Sequence, residues 1–318
     1  MTEIKNCLIC YQPLAENQKL YHPKCSKKLF WQSNAPELPY AYGELTKLAQ
    51  KVVHSRITIP GVQAKLSLLL DKSLKKNSRF TLVGLWGNFI LKPPLEAYPF
   101  MPEIEHLTMH LAGLLKIDTV PHGLIPLKSG EIAYITRRVD RLPDGKKLHM
   151  EDMCQLTERL TEDKYHGSME QIGRIIQKLS SNKIFDTIRL FEIALFSFIT
   201  GNADMHLKNF SLIYPLDGMV NLSAAYDMLA TRLLIPEKDD PEELALTLNG
   251  KKRKFARNDF HSFATHLGLN ERQIMNVLNR FTEAIPEMVS VIDRGFLPQQ
   301  KTDEFKQLIK ERAARFEL

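Results

Sequence analysis

The densest run of side chains able to do chemistry is Thr200-Gly201-Asn202-Ala203-Asp204-Met205-His206-Leu207-Lys208-Asn209-Phe210. It follows an apolar stretch, Leu190 to Ile199, so polar groups collect where a buried helix ends, with Gly201 and Asn202 as its stop. Asp204 and Asn209 are five residues apart, the spacing at which phosphoryl-transfer loops set a proton-accepting Asp from a metal-binding Asn. Downstream, Phe210-Ser211-Leu212-Ile213-Tyr214 and Met219-Val220-Asn221-Leu222 flank the turn cluster Pro215-Leu216-Asp217-Gly218, which reads as an antiparallel hairpin. Asn209 precedes the first strand and Asp227 follows the second, so closing the hairpin returns Asp227 to Asn209 and Asp204. Three oxygen-bearing side chains at the open end suit Mg²⁺, a hard cation that takes carboxylates, phosphates and water. A lone Asp or Asn in a loop is ordinarily a turn or cap residue; the coincidence of spacing, hairpin and returning carboxylate favours chemistry here.

A second cluster lies near the N-terminus. Cys7-x2-Cys10 and His22-x2-Cys25 are separated by eleven residues, two close pairs of soft ligands that fit a tetrahedral zinc site. With all four positions filled, such a zinc would be structural; reduced thiols or a redox pair are the alternatives. Cys154 stands apart and reads as a core thiol. Lys251-Lys252-Arg253-Lys254 could be a nucleic-acid patch, but it follows Asn249-Gly250 directly and reads better as an exposed hairpin strand.

The elements that must position these residues fall into two parts. Residues 66–70, 79–83, 88–92 and 132–137 read as short strands, with one helix through Ile104, Leu107, Leu111, Leu114 and Leu115. After about residue 150 the chain turns helical: Ile172 to Leu179, Ile188 to Ile199, a helix capped by Asn258, and two more at about 270–284 and 302–316. A second hairpin is expected at Glu243 to Phe255. The order predicts an α+β chain in three parts: a Cys/His segment over 1–45, a β-rich lobe over 46–140 and a helical lobe over 141–318, with a cleft between the lobes as the ligand's place. The 318 residues are 44% hydrophobic and 25% charged, which excludes a disordered or fibrous chain. The longest apolar stretch is ten residues and contains Glu192, too short for a bilayer, and Met1 to Asn6 offers no apolar signal core. Four cysteines exclude a disulfide scaffold and fit a reducing cytoplasm, and a net charge of +6 is mild for this length.

Several spaced motifs, taken together, resemble the HipA-like serine/threonine kinases of bacterial toxin–antitoxin systems. They are Gly61-Val62-Gln63-Ala64-Lys65-Leu66-Ser67, Ile90-Leu91-Lys92-Pro93-Pro94, Ile135-Thr136-Arg137-Arg138-Val139-Asp140-Arg141, His149-Met150-Glu151-Asp152-Met153-Cys154-Gln155, Gly201 to Ser211, and Ala225-Tyr226-Asp227. The resemblance spans about residues 55 to 318, and in length the chain is nearest the short HipT-type members. It implies a two-lobed, protein-kinase-like fold using ATP and Mg²⁺. Asp204 would accept the proton of the attacking hydroxyl, with His206 and Lys208 sharing its loop; Asn209 and Asp227 would hold Mg²⁺. Lys92 would meet the nucleotide phosphates, with Glu105 its preferred partner over Glu103. Arg138 and Asp140 would lie at the hinge, where Asp140 could meet the ribose or pair with Arg138 or Arg141. Gly61, Gln63 and Lys65 would line a phosphate loop that is neither G-x-G-x-x-G nor Walker A, so backbone N–H groups would cradle the phosphates. Thr58 is the candidate for autophosphorylation there.

The resulting expectation is a protein serine/threonine kinase, the toxin of such a module, acting on a translation component such as an aminoacyl-tRNA synthetase. Its expected partners are a helix-turn-helix, HipB-like antitoxin and a separate HipS-like small protein, with neither membrane nor direct nucleic-acid binding. Two alternatives stay open: a kinase of small molecules, and a non-enzymatic nucleic-acid-binding or adaptor protein.

Overall fold

The structure, a computed structural model, describes residues 4–54, 64–71, 78–84 and 86–317. The chain forms two compact units. The first comprises Met1–His106, Val120–Lys147 and Arg294–Leu297, and the second Leu107–Thr119, Leu148–Asp293 and Pro298–Leu318.

The first unit contains α1 (Pro23–Phe30), α2 (Tyr42–His54), β1 (Leu66–Asp71), β2 (Arg79–Val83), β3 (Phe89–Lys92), the start of α3 (Met101–Leu114), β4 (His122–Pro126) and β5 (Ile132–Arg137). Its five strands form an antiparallel sheet in the order β2-β1-β3-β5-β4. Alternation sets the register: Leu66, Leu68 and Leu70 face the core while Ser67 and Leu69 face away, and Leu68 sits opposite both Leu82 and Phe89. The central strand, β3, is nearly all buried. The N-terminal segment does not stand apart from this sheet. Cys7, Leu8, Leu29, Phe30, Leu38 and Leu45 share one hydrophobic cluster with Phe80, Phe89 and Leu91. The sequence reading missed β4, whose five residues include Gly123 and Pro126. The glycine is required by close approach: a Cβ there would lie 2.8 Å from Ile9 and 2.9 Å from Leu29.

The second unit holds β6 (His149–Asp152), α4 (Met153–Leu156), α5 (Met169–Leu179), α6 (Lys183–Thr200), β7 (Ser211–Tyr214), β8 (Asn221–Leu222), α7 (Arg257–His266), α8 (Glu271–Asp293) and α9 (Gln299–Ala314). Helix α6 is its axis: nearly every residue from Asp186 to Thr200 is buried, and α5 and α9 pack on it. Phe198 meets Phe255, Phe260 and Phe316 at ring separations of 5.0–6.0 Å. The expected hairpin is present as β7 and β8, and β6 joins it to make a three-stranded sheet, β6-β7-β8.

Three sequence expectations are corrected. The hairpin at Glu243 to Phe255 forms no strand ladder: Asn249 (φ 48°) and Gly250 (φ 72°) are left-handed, but the one bridge there among the described residues joins Leu248 and Lys251, and beyond it the Lys252 carbonyl accepts the Glu243 N–H at 2.8 Å. Thr247 pairs with Ser168 instead, and its carbonyl accepts the Met169 N–H at 2.9 Å. Asn258 is not a cap; α7 starts at Arg257, and the Asp259 carboxylate reaches back to the Ala256 N–H at 2.9 Å. Helix α8 runs beyond residue 284 and through Pro286, because Met288, Val291 and Ile292 are buried on its far side.

Candidate active site

In the second unit, the loop after α6 is set by a Schellman stop. Gly201 has φ 69°, its N–H donates to the Phe198 carbonyl at 3.1 Å, and the Asn202 N–H donates to Ser197 at 2.8 Å. The Asn202 side chain accepts the Asp204 N–H at 3.2 Å, and the Asp204 carbonyl accepts the His206 N–H at 2.9 Å. A single 3-10 turn, Leu207–Asn209, then feeds β7. The Asn209 amide donates long hydrogen bonds to the carbonyls of Asp204 (3.4 Å) and Asp227 (3.5 Å), so one side chain joins all three residues. With its NH₂ so used, Asn209 keeps its Oδ1 as an acceptor.

Asp227 is delivered by clamped neighbours. The Ala225 N–H donates to Asp118 at 2.8 Å, and the Tyr226 hydroxyl donates to the Lys208 carbonyl at 3.0 Å and lies 2.6 Å from Ser211 Oγ. Asp227 itself is left-handed, φ 62°, a conformation Asp tolerates better than most residues. Further back, Asp186 accepts the Leu222 N–H at 2.8 Å, and Arg189 donates to the carbonyls of Leu222 (2.6 Å) and Ser223 (3.0 Å), pinning β8 to α6.

Tyr165 is the site residue that sequence reasoning missed. Its hydroxyl donates to Asp204 Oδ1 at 2.6 Å, and its ring meets the His206 ring edge-on at 5.1 Å. Burial, then the Asp204 charge, push the Tyr165 phenol well above its ordinary value, so it stays a donor. Tyr165 lies 39 residues before Asp204, and its loop reaches the site through the Lys164 carbonyl, which accepts the Leu207 N–H at 3.1 Å, a long-range contact with no local signal in the sequence. His206 is buried, and burial lowers its pKa to about 4 against the opposing charge of Asp204. The Lys208 ammonium pairs with Asp152, at 2.6 Å, and Asp152 also caps α4.

In the first unit, Lys92 on β3 and Glu105 on α3 are both buried and form an ion pair, with the Lys92 ammonium 5.3 Å from the centre of the Tyr134 ring. Glu103, two residues earlier, is pushed by burial to about 7. Asp140 is forked by Arg138 (2.9 Å to each oxygen) and bonded by Arg141 (2.6 Å). Burial alone would raise its pKa; the two arginines outweigh that and hold it below the usual carboxylate range. Lys65 is exposed at the start of β1. Thr58, Gly61 and Gln63 lie outside the described residues. Cys7, Cys10, His22 and Cys25 come together, with ligand atoms all within 4.8 Å of one another. Hydrogen bonds from Cys10 and Cys25 hold the Cys7 thiol far below its ordinary value, and Cys25 is raised in turn.

A family model described as HipA-like C-terminal domain matches residues 57–289, which include Lys92, Glu105, Asp204, Asn209 and Asp227. The chain belongs to the HipA-like family. Among its relatives, a candidate kinase of Haemophilus influenzae is 29% identical over 93% of both chains. A second, of Sinorhizobium fredii, is 31% identical over 72% of this HipA-like chain and 58% of its own length. The serine/threonine-protein kinase toxin HipA of Shewanella oneidensis is 25% identical, over 74% of this chain and 57% of that one. The chain thus spans nearly all of the Haemophilus relative and less than two thirds of the other two. Of solved structures, Shewanella oneidensis HipA, in a complex with HipB and operator DNA, superposes with a TM-score of 0.67 at 22% identity, over 81% of this chain and 65% of that one. A proinflammatory kinase of Helicobacter pylori does so at 0.54 and 14%, over 74% and 88%. These likenesses establish an α+β, kinase-like fold of the HipA type. Among the described residues no helix is long and apolar enough to cross a membrane.

Proposed function

We propose that this HipA-like chain is an ATP- and Mg²⁺-dependent protein serine/threonine kinase and the toxin of a toxin–antitoxin module. The observation that carries the reading is the Asn209 amide bonded to the backbone carbonyls of both Asp204 and Asp227, which holds the three residues together. The donor set suits the cation: an amide oxygen and carboxylates, all hard ligands, with no thiolate or imidazole nitrogen among them. Bound by Asn209 and Asp227, Mg²⁺ would neutralise charge on the nucleotide phosphates. Asp204 accepts the proton of the acceptor hydroxyl as that oxygen bonds to the γ-phosphorus and the bond to the ADP oxygen breaks. Tyr165, bonded to Oδ1, orients the carboxylate. Neutral His206 backs the Tyr165 ring and contributes no charge, while Lys208 braces the loop through Asp152. Lys92, fixed by Glu105, meets the phosphates as a point charge. Asp140 offers its adjacent backbone to adenine more readily than its carboxylate to ribose, since both of its oxygens are held by arginines.

The name of the Shewanella relative supports the toxin reading, and the complex with HipB and operator DNA supports a HipB-like antitoxin as partner. A translation component such as an aminoacyl-tRNA synthetase is the proposed substrate, Thr58 the proposed site of autophosphorylation, a HipS-like small protein a further partner, and the cytoplasm the place of action. The test is expression of wild type beside Asp204→Asn, with γ-labelled ATP added to lysate from each. Growth arrest and a labelled protein band are expected from wild type alone, with incorporation down by roughly 10²-fold or more in the variant. Label appearing only in small molecules would point to a metabolite kinase, and equal toxicity from both forms would sink the proposal.

A further inference from the structure

The cysteine–histidine cluster lies outside the residues of the family match and has no part in phosphoryl transfer. Its two halves come from different local structures. Cys7 and Cys10 sit in a tight hairpin knuckle: Asn6 bridges Pro13, the Cys7 N–H donates to Gln12 at 2.9 Å, and the Tyr11 N–H returns to the Cys7 carbonyl at 3.0 Å. His22 is the N-cap of α1, and Cys25 lies in that helix's first turn, where the backbone N–H dipoles favour a thiolate. His22 Nδ1 is 3.3 Å from Cys10 Sγ and 3.9 Å from Cys25 Sγ. A tetrahedral zinc with Zn–S near 2.3 Å and Zn–N near 2.0 Å requires ligand separations of about 3.5–3.8 Å, which these values bracket.

The imidazole supplies the second observation. Its Nε2 lies 3.0 Å from the Pro13 carbonyl, an acceptor only, so the ring proton belongs on Nε2. That leaves the Nδ1 lone pair aimed at the sulfurs, the tautomer a metal ligand needs and the outer hydrogen bond that metal-bound histidines make. A redox pair would need Cys7 and Cys10 alone; it would account for neither Cys25 nor an oriented His22.

We propose that Cys7, Cys10, His22 and Cys25 bind one structural Zn²⁺, and that this ion fastens the N-terminal segment onto the sheet that carries Lys92. On binding, the three thiols release their protons to solvent, leaving a Zn(Cys)₃(His) unit with no open position. The fastening is visible in the packing. The Leu8 carbonyl accepts the Leu124 N–H at 2.9 Å, and the Tyr21 hydroxyl donates to the Leu124 carbonyl at 2.8 Å, so the knuckle and the approach to α1 both grip β4. Past Cys25, α1 buries Phe30 against Phe80 (5.9 Å) on β2, an edge of the sheet, and Phe89 (6.2 Å) on β3, its centre. The metal would therefore cross-link the two ends of a segment that has little core of its own.

The test uses the full chain purified from zinc-supplemented cells without chelator. Wild type and Cys154→Ser are expected to hold one zinc per chain, and Cys10→Ser and Cys25→Ser to lose it. Cys7 is left intact because it is fully buried. Cobalt replacing zinc in wild type should show the intense visible bands of tetrahedral thiolate coordination and thiolate charge-transfer absorption, which need no folded variant to interpret. Chelator should lower the melting temperature of wild type and added zinc should restore it. A folded wild type without stoichiometric metal, zinc retained in full by Cys25→Ser, or octahedral cobalt spectra would each overturn the site. None of these readouts depends on kinase activity, so the site and the catalytic reading stand or fall separately.

Discussion

Asp204 is held rather than left to find its own rotamer. The Tyr165 hydroxyl, 2.6 Å from Oδ1, fixes the carboxylate, and the proposed mechanism assigns the other oxygen to the incoming hydroxyl. A hydrogen bond to a charged acceptor contributes about 1.5–3 kcal/mol. Tyr165→Phe removes it while keeping the ring on His206, so kcat is expected to fall by roughly ten-fold with the nucleotide KM unchanged. Steady-state kinetics on a peptide or autophosphorylation substrate checks this; a raised KM at constant kcat would remove Tyr165 from the proton-transfer apparatus. The neighbouring His206 gives a prediction of pH dependence. Its pKa is about 4 in the fold against an ordinary 6.5, so below pH 6.5 the unfolded chain takes up a proton that the folded chain refuses. The associated stability is present above pH 6.5 and is lost as pH falls toward 4. Between neutrality and about pH 5 the loss amounts to about 2 kcal/mol. Urea midpoints of wild type and His206→Gln at the two pH values should show a steeper decline for wild type; parallel declines would mean the ring is solvated.

At the scale of elements, the end of α6 is the part on which the loop depends. Gly201 is left-handed, and a Cβ would lie 2.7 Å from Leu308 and 2.9 Å from the Arg232 Cβ. Gly201→Ala therefore meets both backbone strain and collision, and a loss of about 2–4 kcal/mol is expected. Because Asp204 is three residues on, the proposed kinase activity should fall further than the folded fraction does, as measured by activity per folded molecule from circular dichroism. This stop was legible in the sequence because it is local: an apolar run, then Gly-Asn. The β7–β8 hairpin was legible for the same reason, its turn cluster lying between two β-rich runs. What was not legible depends on distant partners. Strand β6 pairs with β7 across about sixty residues of chain, β4 is interrupted by glycine for the sake of Ile9 and Leu29, and Tyr165 meets Asp204 across the stretch that holds α5 and α6. The Asn249-Gly250 turn formed as its dipeptide demands, yet its strands did not, because Thr247 had a better partner in Ser168. Local chemistry names turns and stops; tertiary competition decides which ladders grow.

For the whole molecule, the division into two units gives each a separate optical signature. Both tryptophans of the chain, Trp31 and Trp86, belong to the first unit, whereas α5 to α9 belong to the second. Trp86 is 77% exposed and will change little on unfolding, but Trp31 follows α1 directly, packs on Phe89 at 5.2 Å and lies under the Arg137 guanidinium at 4.9 Å. Its emission therefore reports the segment that the proposed zinc fastens, while far-ultraviolet circular dichroism is dominated by the helices of the second unit. Loss of a few kcal/mol of metal binding, at roughly 3–5 °C per kcal/mol for a unit of this size, lowers a melting temperature by about 10 °C. Chelation should shift the tryptophan transition by that amount and the dichroism transition by much less, and zinc should bring the two back together. If chelator moves both transitions equally, the metal's contribution is not confined to the first unit; if it moves neither, residues 7–25 hold their shape by packing alone.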